Sequence, residues 1–155
     1  MSRSDEKKRL RLKGRGESGR YAGVPTIVMD SPNWMRLTGS AVKLVLEFAY
    51  QYNGYNNGDL TAAYSILKKR HWRSQNTINW AVKELIHYGM IIKTRQGTLD
   101  KRPNLFALTW RAIDDNNGKM DLCSATKVSP GNWRIEVNIF NRKTAPKLVK
   151  RKKKY

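Results

Sequence analysis

The chain has 155 residues and a formal charge of +19. That length fits one domain with a modest core, and that charge points to a polyanionic partner. Its one cysteine, Cys123, excludes an intramolecular disulfide framework and a cysteine-based zinc cluster. Nothing resembles a signal peptide and no apolar run is long enough to span a bilayer, so the expectation is a cytoplasmic protein with no membrane partner.

The charge is uneven. Residues 1–20 hold eight Lys/Arg against three Asp/Glu, and residues 142–155 hold eight against none. The body, 21–141, holds fifteen against nine. Such arms repel themselves and attract polyanions, so 1–20 reads as a disordered basic arm and 142–155 as a disordered basic tail. An anionic membrane surface competes with nucleic acid as the partner, but neither arm carries the long apolar face of an interfacial helix.

Order is expected from about Tyr21. Val24, Ile27, Val28 and Met29 form a short apolar run that reads as an entry strand or extended segment. Ser31-Pro32 is a cap followed by proline at the first helical position, which predicts a short helix over 33–37 with Trp34 and Leu37 inward. Thr38 caps a long helix over 39–52, on which Ala41, Val42, Val45, Phe48, Ala49 and Tyr52 share one face. The turn-rich connector YNNGD follows, then a strand of two or three residues at Leu60. Thr61 would cap a second helix over 62–70, with Ala63, Ile66 and Leu67 inward. Lys68, Lys69 and Arg70 crowd its last turn, where cations suit both the helix dipole and phosphate.

The most informative stretch is Ser74 to Gly89, SQNTINWAVKELIHYG. Ser74 is an N-cap candidate and Gly89 a residue free to take the left-handed conformation that ends a helix. Ile78, Ala81, Val82, Leu85 and Ile86 recur at helical spacing. Asn76, Asn79, Trp80, Lys83 and His87 fall on the other face. Asn and Gln pair bidentately with adenine, and Lys reaches guanine or phosphate. An exposed Trp80 would point to a partner; the alternative is that another part of the chain covers it.

Met90, Ile91 and Ile92 open a strand to about Arg95. A loop over 96–104 carries Lys101 and Arg102, and Leu105 to Trp110 forms a second strand. Between Lys68 and Arg102 there are nine Lys/Arg against only Glu84 and Asp100. Asp114 and Asp115 read as solvated loop residues. Over 113–141, Trp133, Ile135, Val137 and Ile139 alternate with polar residues, which predicts a strand or extended segment packed on or trailing the body.

The order helix, short strand, helix, turn, helix, two strands resembles the winged helix-turn-helix DNA-binding domains over about residues 31–112. The clearest motif is the run from Ser74 to Lys93, SQNTINWAVKELIHYGMIIK. More narrowly, SPNW at 31–34, YNGYNNGDL at 52–60, RSQNT at 73–77, TRQG at 94–97 and LFALTW at 105–110 resemble small helix-turn-helix proteins of bacterial phages, prophages and mobile elements. The expected fold is therefore mainly α with a small antiparallel β wing (α+β), with a folded domain over 21–112. The resemblance implies double-stranded DNA as partner. It matches Gln75, Asn76, Thr77, Asn79, Trp80 and Lys83 to the exposed face of a recognition helix, and Lys93, Arg95, Lys101 and Arg102 to a wing; Lys68, Lys69, Arg70 and Arg73 would add phosphate contacts. His71 stands where many such turns have glycine.

Two histidines far apart in sequence, one cysteine, and no metal-protease, phosphate-loop or CxxC motif argue against an enzyme, a metal or a cofactor. The functional expectation is a mobile-element transcription regulator. A replication-initiation or accessory protein, recruiting a protein partner through Trp80 or the tail, is the alternative. A charge-driven RNA- or nucleoid-binding protein is the third reading. No heptad pattern marks a dimerisation helix, which leaves the oligomeric state open.

Overall fold

Several helix starts in this chain are written by small hydroxyl side chains. A computed structural model describes residues 2–14, 20–98 and 102–145. Ser31 accepts from the amide of Trp34 ahead of helix α3 (Pro32–Met35), and Thr38 from that of Ala41 ahead of α4 (Gly39–Gln51). Ser74 accepts from that of Thr77 ahead of α6 (Gln75–His87). Each bond satisfies one of the four amides that a helix N-terminus leaves unpaired.

Three local expectations change. Residues 1–20 were expected to be disordered, but Arg3–Leu12 form a helix, α1. Its cause is a capping box: Ser2 caps the first turn while Asp5 reaches back to the Ser2 amide. None of its residues is buried, so the helix stands on local bonds alone. The apolar run near Val28 is one helical turn, α2 (Thr26–Met29), not a strand, and only Val28 is buried. The second helix is shorter than its pattern. α5 spans Tyr64–Leu67 and tightens into a 3-10 turn over Lys68–Arg70. Thr61 caps no helix; its hydroxyl accepts from the Ala63 amide, and Ile66 is exposed rather than inward.

The long helices α4 and α6 pack on one another and supply most of the core. Leu44, Val45 and Phe48 of α4 meet Ile78, Ala81 and Leu85 of α6, with Leu67, Trp72 and Tyr88 around them. At about 25 cal/mol per Å² of apolar surface removed from water, this stripe-on-stripe burial is the main source of stability.

A three-stranded antiparallel sheet closes one side of the helices. β1 (Leu60–Thr61) and β2 (Ile91–Arg95) both pair with the central β3 (Leu105–Leu108), in the order β1-β3-β2. Leu60 lies opposite Phe106 and Ile91 opposite Leu108. All four β3 residues are buried, because the sheet is covered on both faces. Phe106 and Leu108 join the helical core. Over the other face, the segment from Ile113 crosses from the start of β1 to β2. The Asp114 amide donates to the Asn57 carbonyl at 2.9 Å, and the amides of Asp121 and Leu122 donate to that of Thr94 at 3.0 Å. Thr94 sits at the register shift in β2, so these bonds blunt an exposed sheet edge.

Two buried asparagines fasten the less regular parts. Asn57 is fully buried. Its Nδ2 donates to the carbonyls of Leu108, Arg111 and Ala112, and its Oδ1 accepts from the Leu108 amide. Asp114, expected as a solvated loop residue, accepts from the Asn57 amide at 2.8 Å. Asn33 does the same for the C-terminal segment, through Tyr88, Trp133, Ile135 and Val137.

That segment packs on the body in extended form after one 3-10 turn, Asn132–Arg134. Trp133 is buried and Val137 and Phe140 lie against the core, whereas Ile135 and Ile139 face outward. Gly89 makes the approach possible. Its φ is 69°, and a Cβ there would lie 2.5 Å from the Asn132 carbonyl oxygen. No helix among the described residues is long and apolar enough to cross a membrane.

Candidate nucleic-acid interface

α6 presents a polar face between two walls. At about 100° per residue, Ile78, Ala81, Glu84 and Leu85 fall on the inward arc, and all four are buried. Outward, the order around the helix runs from Gln75 through Asn79 and Lys83 to Asn76, His87 and Trp80. On the Gln75 side stands the loop between β2 and β3. Gln75, Asn79 and Lys83 share one groove with Lys93, Gln96 and Arg102 of that wall and with Ala63 and Tyr64 at the start of α5.

Among the described residues, the groove lining carries cations and no carboxylate. The only carboxylate of α6 is Glu84, which is turned into the core with 2 % exposure. Its two oxygens accept from the Thr38 amide at 2.7 Å and the Thr38 hydroxyl at 2.9 Å. The lining retains amide side chains, hydroxyls and cations: hydrogen-bond donors for an anion and mixed donors and acceptors for base edges.

The loop wall is tied at its root. The guanidinium of Arg95 donates to the Pro103 carbonyl at 3.1 Å from Nη2, and the Thr98 amide donates to the Arg102 carbonyl at 3.1 Å. The Gly97 amide donates to Asn104 Oδ1 at 2.7 Å. Lys93 reaches Gln96 Oε1 at 3.1 Å, with its ammonium along the groove wall.

Of the expected site residues, Gln75, Asn79, Lys83, Lys93 and Arg102 come together in the groove. Asn76 is exposed on the same outward face, and Lys68, Lys69 and Arg73 are exposed around the turn that precedes α6. Lys101 lies outside the described residues, as do 146–155 of the basic tail.

Four expected contacts have other work. Arg70 forms an ion pair with the buried carboxylate of Glu47 and lies over the Tyr50 ring, 4.1 Å from its centroid. The hydrogen bond to Glu47 raises the guanidinium pKa above its ordinary value. Glu47 also accepts from Trp72 Nε1 at 3.3 Å, so Arg70 belongs to the packing of the turn on α4. Arg95 is committed to closing the loop. Thr77 is half-buried on the arc of Glu84 and does not line the groove. Trp80 is not the bare aromatic that its spacing implied. It is half-buried, edge-on to Phe140 at 6.4 Å between centroids, with Lys83 Nζ and the Arg142 guanidinium 4.6 and 5.4 Å from its ring centre.

The connection before α6 is as tight as its sequence implies. His71 has φ 63°, the left-handed conformation that glycine enters most easily. Trp72 is buried directly after it, which forces the chain to reverse there.

Among the described residues, no cluster of three His, Cys, Asp or Glu side chains is placed to hold a metal. The chain matches no protein-family model, no curated protein and no solved structure. The site therefore rests on its own geometry. The sequence does not place Phe140 and Arg142 beside α6, because their contacts there come from residues some sixty positions away in sequence.

Proposed function

We propose that this chain is a winged helix-turn-helix protein that binds double-stranded DNA, with α6 as the reading helix and the loop between β2 and β3 as the wing. The observation that carries the reading is the groove face of α6, where Gln75, Asn79 and Lys83 meet Lys93 and Arg102 while the one carboxylate of the helix is buried on the opposite side. The element order and the sheet order β1-β3-β2 support the same reading, since they set a short strand beside β3, one of the two wing strands.

In this reading the first turns of α6 enter a major groove and Gln75, Asn76 and Asn79 meet base edges. Lys68, Lys69, Arg73, Lys83, Lys93 and Arg102 meet phosphates. Release of condensed counterions then supplies sequence-independent affinity that falls steeply with salt. Each bidentate contact to a base contributes about 1–3 kcal/mol of discrimination. The biological use we propose, transcription control on a mobile element, rests on the sequence resemblance.

Selection from a random duplex pool at about 200 mM salt tests this, because purely electrostatic binding is much weakened there. Wild type should enrich a motif, and Asn76→Ala and Asn79→Ala should relax it at separate positions. No enrichment, with binding that vanishes as salt rises, would leave only a charge-driven binder.

A further inference from the structure

Residues 136–145 form the second wall of the outward face of α6, on the side away from the loop that carries Arg102. They are tied there by bonds that do not depend on a ligand. The His87 ring donates from Nε2 to the Asn138 carbonyl at 2.6 Å, and the Phe140 amide donates to the Tyr88 hydroxyl at 2.9 Å. The Phe140 ring sits between Trp80 and His87, 6.4 and 5.4 Å away. Arg36 holds the start of the segment through the Val137 carbonyl at 2.7 Å. Arg36 also pairs with Glu136 at 2.5 Å, which neutralises the only carboxylate of the segment.

What this wall then offers is positive charge. Arg142 and Lys143 are exposed, and among the described residues neither is in a salt bridge. Arg142 is stationed by the Trp80 ring at 5.4 Å, an attraction that orders the side chain without neutralising it. The chain continues from here into six more Lys/Arg with no acid after Ala145. A cation held at a fixed place costs less ordering entropy when it meets an anion.

We propose that this segment is a phosphate-binding wall of the same DNA site, a counterpart of the wing, with Arg142 and Lys143 as its contacts. Trp80 is then the platform that positions Arg142 and not itself a reader of bases. This rests on the DNA-binding reading above.

The test uses the full chain on a duplex, with Arg142→Gln/Lys143→Gln compared against Lys93→Gln/Arg102→Gln. Each lost phosphate contact should reduce the slope of log affinity on log salt by about 0.9, so each pair should reduce it by roughly 1.8. Hydroxyl-radical footprints should lose protection at one edge for the first pair and at the other edge for the second. Because Lys83 shares the Trp80 ring with Arg142, Trp80→Ala should weaken binding no more than Lys83→Gln/Arg142→Gln does, and should add little in that double background. All these variants should first show wild-type circular dichroism.

Slope and footprint unchanged by the Arg142/Lys143 pair, but altered by the Lys93/Arg102 pair, would overturn the second wall and leave the DNA-binding reading standing. A further large loss on adding Trp80→Ala to Lys83→Gln/Arg142→Gln would return Trp80 to direct contact and overturn its role as platform. No duplex binding by wild type would overturn both readings.

Discussion

Glu84 on α6 and Thr38 ahead of α4 are joined by two hydrogen bonds, backbone amide to Oε1 at 2.7 Å and hydroxyl to Oε2 at 2.9 Å. The carboxylate sits at the N-terminus of α4, where unpaired amides favour negative charge. One interaction thus fixes the crossing of the two long helices and keeps negative charge off the outward face of α6.

Glu84→Ala should therefore destabilise the fold by about 2–3 kcal/mol, since bonds to a charged group are lost and the Thr38 amide and hydroxyl lose their acceptors. Urea unfolding should show a lower midpoint at unchanged slope. Thr38→Val should cost less, and the double mutant less than the sum, with a coupling of about 1–2 kcal/mol. Strict additivity would mean that the pair is coincidental.

Arg70 and its neighbours Lys68 and Lys69 look alike in sequence and should behave differently. Arg70→Gln leaves the buried Glu47 carboxylate with Trp72 Nε1 as its remaining side-chain partner, so the urea midpoint should fall. Lys68→Gln/Lys69→Gln touches no such pair. It should leave the midpoint in place and, if both meet phosphate, lower the salt slope of DNA binding by about 1.8. A midpoint unchanged in Arg70→Gln would return that arginine to the docking surface.

Asn33 carries the C-terminal segment. Its Nδ2 donates to Ile135 at 2.7 Å and to Tyr88 and Trp133 at 3.2 Å, and its Oδ1 accepts from the Val137 amide at 3.2 Å. Asn33→Ala strips several buried groups of partners at once and should cost about 2–4 kcal/mol, at 1–3 kcal/mol for each group left unsatisfied and some relaxation. Hydrogen exchange should speed up at the amides of Val137 and Phe140 more than in α4. Equal acceleration everywhere would mean global destabilisation without a local tether.

The parts of this architecture that local chemistry dictates are legible in the sequence. Ser31, Thr38 and Ser74 cap helices, Gly89 takes the left-handed turn, and the apolar stripes of α4 and α6 face one another. The capping box from Ser2 to Asp5 is equally local, and is concealed only by the surrounding charge. What cannot be read locally is which polar residues go inside. Asn33, Asn57, Glu47 and Glu84 are buried because distant segments supply their partners, and nothing in their neighbours announces it. Trp80 is instructive in the same way. Helical periodicity places it on the outward face, but its cover, Phe140, arrives from the other end of the chain.

His71 offers a test of strain at the turn itself. It holds φ 63° and is exposed, and its ring has no hydrogen-bond partner among the described residues, so its side chain contributes little to offset the conformation. The left-handed region costs a non-glycine residue roughly 1–2 kcal/mol, while glycine enters it freely but loses more entropy on folding. The difference favours glycine, and His71→Gly should stabilise the fold by about 0.5–1 kcal/mol, raising the urea midpoint. His71→Ala keeps the strain and should show no gain. Because the turn sets the angle at which α6 leaves the 3-10 turn of Lys68–Arg70, the glycine variant should bind duplex with unchanged sequence preference if the turn geometry is kept. A gain in stability accompanied by lost preference would show that the histidine holds the turn in a shape that glycine abandons.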